Sequence, residues 1–87
     1  MKSFFTKNFK KNYLKRIFPH KNLHRRFQER HNLFTEDSRN TIIEDHALSG
    51  KMKGYRAFSI TGDIRVVYYI QNHIAYFLDI GTHNQIY

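Results

Sequence analysis

The 87-residue sequence has no cysteine, so neither a disulfide nor a thiolate-held zinc can brace it, and packing must hold the chain unless a partner helps. The same absence fits a reducing compartment. Proline occurs once and glycine four times, and no internal repeat or low-complexity tract is present. Gly50 and Gly54 do not have the spacing of a phosphate-cradling loop. No apolar run approaches transmembrane length, and none of signal-peptide type follows the lysines of residues 1–16. A cytoplasmic protein without membrane contact is therefore expected.

Acidic residues are also scarce, seven against fifteen Lys and Arg, for a net charge of +8. The imbalance is local. Residues 1–31 hold ten Lys/Arg and one acid; residues 32–50 hold Arg39 against Glu36, Asp37, Glu44 and Asp45; residues 51–87 are nearly balanced. A basic half joined to a neutral half suits a polyanionic partner, most simply nucleic acid, although a solvated helical face would have the same composition. Length permits one domain, 1–87, burying roughly 60 to 65% of the surface its unfolded chain exposes, so the stability margin is thin.

The hydrophobic pattern predicts an α+β fold in which a small antiparallel sheet packs on an N-terminal helical hairpin, in the order β-α-α-β-β-β. Residues 2–5 suit a short edge strand, and Thr6 suits a helix cap. Phe5, Phe9, Tyr13 and Ile17 then recur every four residues, with Leu14 beside them, predicting a helix over about 7–17 whose aromatic stripe belongs to the core. Pro19 is placed to start a second helix, about 20–35, carrying Leu23, Phe27 and Phe34 on one side. His20 and His24 have metal-ligand spacing, but no third ligand is evident and the neighbours are cationic, so they read as solvated. Residues 35–50 lack a clear period; 41–45 suit a turn of helix, with Ile42, Ile43 and Leu48 plugging the core edge.

Three β-type runs follow, about 55–60, 64–70 and 74–80, separated by Thr61-Gly62-Asp63 and by Gln71-Asn72, with Gly81 closing the last. Ile64, Val66, Tyr68 and Ile70 share the face assigned to the helices, while Arg65, Val67 and Tyr69 share the other. A meander brings its two ends to one sheet. Two histidines remote in sequence, His46 before the first run and His83 after the last, are thereby placed to face one cleft.

The segment 45–87 resembles the RelE/ParE superfamily of bacterial type II toxins, and within it the YafQ-like branch of mRNA interferases. The matching features are Asp45-His46 followed by Leu48 and Gly50, Lys53-Gly54-Tyr55-Arg56, Asp63 leading into Arg65-Val66-Val67-Tyr68, and Gly81-Thr82-His83 with an aromatic at Tyr87. The resemblance implies the toxin of a toxin–antitoxin pair: a ribosome-dependent, metal-independent endoribonuclease that cuts mRNA in the A site and needs no cofactor. It implies a cognate antitoxin, mRNA and the ribosome as partners, with a free monomer that enters a higher-order complex with antitoxin. By the same resemblance His46 and His83 fall on functional histidine positions, Asp63 on an acidic one, and Arg65 on an arginine that meets the scissile phosphate. Tyr87 replaces the usual terminal phenylalanine. Ser59 stands where the branch has a strand histidine and Ile64 where it has a tryptophan, so the proton-transfer arrangement differs.

Cutting RNA through its own 2′-hydroxyl needs a base, an acid and a cation for the phosphorane charge. A histidine, with an ordinary pKa of about 6.5, serves either proton transfer near neutrality. His46 and His83 are the candidates, with Arg65 on the phosphate and Lys51, Lys53 and Arg56 as supporting RNA contacts. Tyr87 suits base stacking. Each residue has a plainer reading: Asp63 as hairpin chemistry, Arg65 as a solvated arginine, His83 as an exposed loop residue. Two other functions stay open, a gyrase-inhibiting toxin of the ParE kind and a non-catalytic remnant that binds RNA or a partner.

Overall fold

The computed structural model describes residues 1–87 and places every expected element. In chain order these are β1 (Lys2–Phe5), α1 (Lys7–Arg16), α2 (Lys21–Glu36), β2 (His46–Ala47), β3 (Arg56–Ser59), β4 (Ile64–Gln71), β5 (Ile74–Thr82) and α3 (His83–Ile86). One sheet runs β1-β5-β4-β3-β2. It is mixed rather than wholly antiparallel, because β1, which precedes both helices, lies parallel beside β5, the last strand of the chain. The two-residue strand β2 and the four-residue helix α3 are too short to leave a periodic signal.

Helix α1 starts where Thr6 accepts a hydrogen bond from the Phe9 amide, and the same hydroxyl donates to the Phe77 carbonyl at 2.7 Å. A single threonine thus caps the helix and ties it to β5. Farther along, Asp79 Oδ1 accepts from Asn12 Nδ2 at 2.7 Å and pairs with Arg16 at 3.3 Å. The helical stripe meets the sheet in one core that includes Phe9, Ile17, Phe27, Phe34, Ile43, Phe58, Tyr68, Phe77 and Ile80. Three side chains depart from the expected pattern: Leu14, Ile42 and Ile70 are exposed.

The faces of β5 do not alternate simply. Val67 pairs with Asp79 and Tyr68 with Phe77, so Leu78 is an extra residue, and this bulge lets both Phe77 and Ile80 enter the core although they are three apart. Asn72 and His73 both have positive φ, as a two-residue hairpin turn requires, so the reversal centres one residue later than expected. Strand β5 also continues through Gly81 to Thr82 instead of ending at the glycine.

Candidate active site

Histidine 46 sits on β2, opposite Ala57 of β3. The chain reaches it through Glu44, a non-glycine residue at φ 52°, and Asp45, whose side chain is only 6% exposed. Asp45 is an anchor: Tyr68 Oη donates to its Oδ2 at 2.6 Å, and Arg56 Nε donates to its Oδ1 at 3.3 Å. Burial first, then the hydrogen bond to and the charge of Asp45, hold the Tyr68 hydroxyl above the usual tyrosine range, with Arg56 opposing. Tyr68 is therefore a fixed donor near neutral pH. His46 Nδ1 lies 3.0 Å from the Glu44 carbonyl. A carbonyl only accepts, so Nδ1 carries a proton, and Nε2 is the nitrogen left to exchange one with a ligand.

At the other end of the meander, Thr82 caps α3. Its hydroxyl accepts from the Gln85 amide at 3.3 Å and its own amide donates to Gln85 Oε1 at 2.8 Å, a reciprocal capping box. Gly81 makes room for this arrangement, since a Cβ there would lie 2.6 Å from Gln85 Oε1 and 2.8 Å from Arg16 Nη1. The cap sets His83 at the first position of α3 and Tyr87 just beyond its end, with their rings 4.7 Å apart.

His46, Arg65, His83 and Tyr87 line one cleft of about 250 Å³. Leu48, Ser49 and Met52 complete its wall. Sequence reasoning did not assign these three to the site; the Gly50 and Gly54 bracket, both glycines at positive φ, was the signal that the chain folds back there. Lys51 and Lys53 are exposed on either side of Met52. Arg65 lies across from Ser59 on one side and Gly81 on the other, so Ser59 occupies a buried position beside the phosphate-binding candidate.

Two expected site residues lie elsewhere. Asp63 is exposed in the β3–β4 turn, where its backbone amide donates to Thr61 Oγ1, and it does not line the cleft. Arg56 lies two residues from the core residue Phe58, on the same face of β3, and lines a separate cavity with Asp45 and Tyr68, which puts it with the sheet's inner face. Among the remaining histidines, His24 Nδ1 is 2.6 Å from the Tyr13 hydroxyl, and His20 is the N-cap residue of α2. No three His, Asp or Glu side chains gather as a metal-ligand group. No helix is long and apolar enough to cross a membrane.

The family model described as the bacterial toxin of type II toxin-antitoxin system, YafQ, matches residues 1–87. No curated protein sequence matches. Among solved structures, YafQ from E. coli superposes with a TM-score of 0.77 at 18% identity, covering 98% of this chain and 96% of that one. The toxin in the E. coli DinJ-YafQ complex gives 0.75 at 21% identity, with coverage of 98% and 96%. A metal-bound toxin from Helicobacter pylori gives 0.72 at 26% identity, covering 100% of this chain and 99% of that one.

Proposed function

The chain belongs to the YafQ family of toxins of bacterial type II toxin–antitoxin systems, and from that membership we propose that it is a ribosome-dependent endoribonuclease cutting mRNA in the A site. The observation that carries this reading is the shared cleft, in which two imidazoles, one guanidinium and one terminal aromatic ring meet although they come from three separate parts of the chain.

In the proposed reaction His46 Nε2 takes the proton of the 2′-hydroxyl, whose oxygen attacks the adjacent phosphorus. The bond from phosphorus to the 5′-oxygen breaks, and protonated His83 gives that oxygen a proton. The products are a 2′,3′-cyclic phosphate and a free 5′-hydroxyl. His46 is assigned the base because its Nδ1 proton is committed to the Glu44 carbonyl. Arg65 neutralises the phosphorane oxygens, and its planar fork suits two of them at once. Tyr87 packs on the His83 ring and offers its other surface to a base. Lys51 and Lys53 supply exposed positive charge beside the cleft. Proton transfer by two imidazoles and charge neutralisation by arginine need no metal.

The partner in the resting state is an antitoxin, as DinJ is for the E. coli relative. A net charge of +8 favours an acidic, partly disordered segment that orders over the helices or the cleft. A ribosomal substrate makes the cytoplasm its place of action.

The test is expression of the wild type and of His83→Ala, with primer extension on translated mRNA. Cleavage by the wild type and its loss in the variant are expected. Identical cut maps remove His83 from the reaction, and inhibition of DNA supercoiling with mRNA left intact replaces the nuclease by a gyrase poison.

A further inference from the structure

Four aromatic rings form a row across the sheet on the face opposite the helices. Phe4 pairs with Tyr76, Tyr76 with Tyr69, and Tyr69 lies opposite Tyr55, which immediately precedes β3. The ring centroids are 5.5, 5.0 and 6.1 Å apart along the row. Alternation puts the row outside, because the neighbours Phe5, Phe77 and Tyr68 point into or against the core. The outer rings are bare: Phe4 is 54% exposed and Tyr55 37%. Only Tyr13 and Tyr68 use their hydroxyls within the chain, so those of Tyr55, Tyr69 and Tyr76 remain for a ligand.

We infer that this row is a second RNA-binding element, which stacks unpaired bases of the mRNA flanking the scissile phosphate; the inference rests on the nuclease reading of the cleft. Strand β4 connects the two regions. Arg65 and Tyr69 share its outer face four residues apart, about 13 Å, so an extended strand held by Arg65 runs onto the rings. Charge favours a polyanion. Lys2 shares the outer face with Phe4, Lys53 stands just before Tyr55, and the one carboxylate in the five strands, Asp79, is already held by Arg16 and Asn12. Bare rings on a sheet bind single strands with little base preference, since every base has a π-face, whereas duplex RNA keeps its bases stacked on each other. Packing between strands alone explains the Tyr69–Tyr76 stack. It does not explain the exposed rings at both ends of the row.

The experiment uses ribosomes programmed with mRNA that is 2′-O-methylated at the A-site codon, which blocks the nucleophile, and carries 4-thiouridine on either side of it. Irradiation is expected to crosslink the full-length toxin to that mRNA through peptides containing Phe4, Tyr55, Tyr69 or Tyr76. The double variant Phe4→Leu/Tyr55→Leu keeps apolar bulk but removes the outer rings, and is expected to bind these complexes about tenfold or more weakly, on the scale of one lost base stack. Circular dichroism checks that it folds. Crosslinks confined to the cleft peptides, with unchanged affinity in the double variant, overturn the inference and leave the nuclease reading standing. No crosslink to mRNA anywhere on the toxin removes both.

Discussion

The Tyr68 hydroxyl donates a 2.6 Å hydrogen bond to Asp45 Oδ2, linking the middle strand of the sheet to the residue just before His46. Arg56 holds the other oxygen of the same carboxylate. His46 lies on a two-residue edge strand with little pairing of its own, so the buried Asp45 is what fixes its approach to the cleft. Tyr68→Phe keeps the ring in the core and removes only the donor. It is expected to lower stability by about 1.5 to 3 kcal/mol, the range for a hydrogen bond to a charged group, and to reduce kcat more than it raises KM. Urea denaturation and cleavage kinetics on programmed ribosomes measure the two effects. A variant that is destabilised yet cuts at the wild-type rate shows that His46 is held by something other than Asp45.

The two cleft histidines are expected to fail separately and not additively. In the proposed reaction His46→Ala and His83→Ala each remove one proton transfer, worth about 10² to 10⁴ in rate. The double variant should lose much less than the product of the two losses, because residues acting in one step behave as a unit. Single-turnover cleavage by all three proteins tests this. A fully multiplicative loss means the imidazoles act in separate steps.

Much of this was legible in the sequence. The period-four stripe of α1 and the three β runs placed the hairpin and meander, because burial of one face imposes the corresponding period. Remote pairing was not legible. Nothing local says that Lys2–Phe5 joins β5 in parallel, that Leu78 is extra in its strand, or that Gly81 serves the docking of Gln85 and Arg16 instead of ending a strand. At the site, the meeting of His46, Arg65, His83 and Tyr87 followed from the meander once its ends were taken to share a sheet. Arg56 went astray for a countable reason: it lies two residues from the core residue Phe58 and so shares its face, and Asp45 was available to hold it there.

Stability should depend on pH through His31. Its ring packs 5.6, 5.4 and 5.5 Å from Phe5, Phe27 and Phe77, with Nε2 2.8 Å from Ser3 Oγ. Burial lowers its pKa below the ordinary 6.5. Below about pH 6.5 the unfolded chain therefore binds a proton that the folded chain still refuses, so stability is whole above this window and declines as pH falls through it. The slope is at most about 1.4 kcal/mol per pH unit from this residue. Urea midpoints of the wild type and His31→Phe between neutral and mildly acidic pH test it. The variant should lose the slope, and an undiminished slope assigns the titration to other groups.

The Thr82–Gln85 capping box is expected to matter more for activity than for stability. Helix α3 has four residues, so the cap, and not helix propagation, orients it. Gln85→Ala removes the acceptor for the Thr82 amide and should lower stability by only about 0.5 to 2 kcal/mol. His83 and Tyr87 stand at the two ends of that single turn, however, and a displacement of about 1 Å at a reacting group is enough to lower a rate about a hundredfold. Gln85 does not itself line the cleft; it borders a different cavity with Arg16 and Thr82. Cleavage lowered at least tenfold, with a urea midpoint near the wild type, is the expected result. Wild-type cleavage by a variant whose cap is gone means that contacts along β5, and not the cap, set the direction of His83.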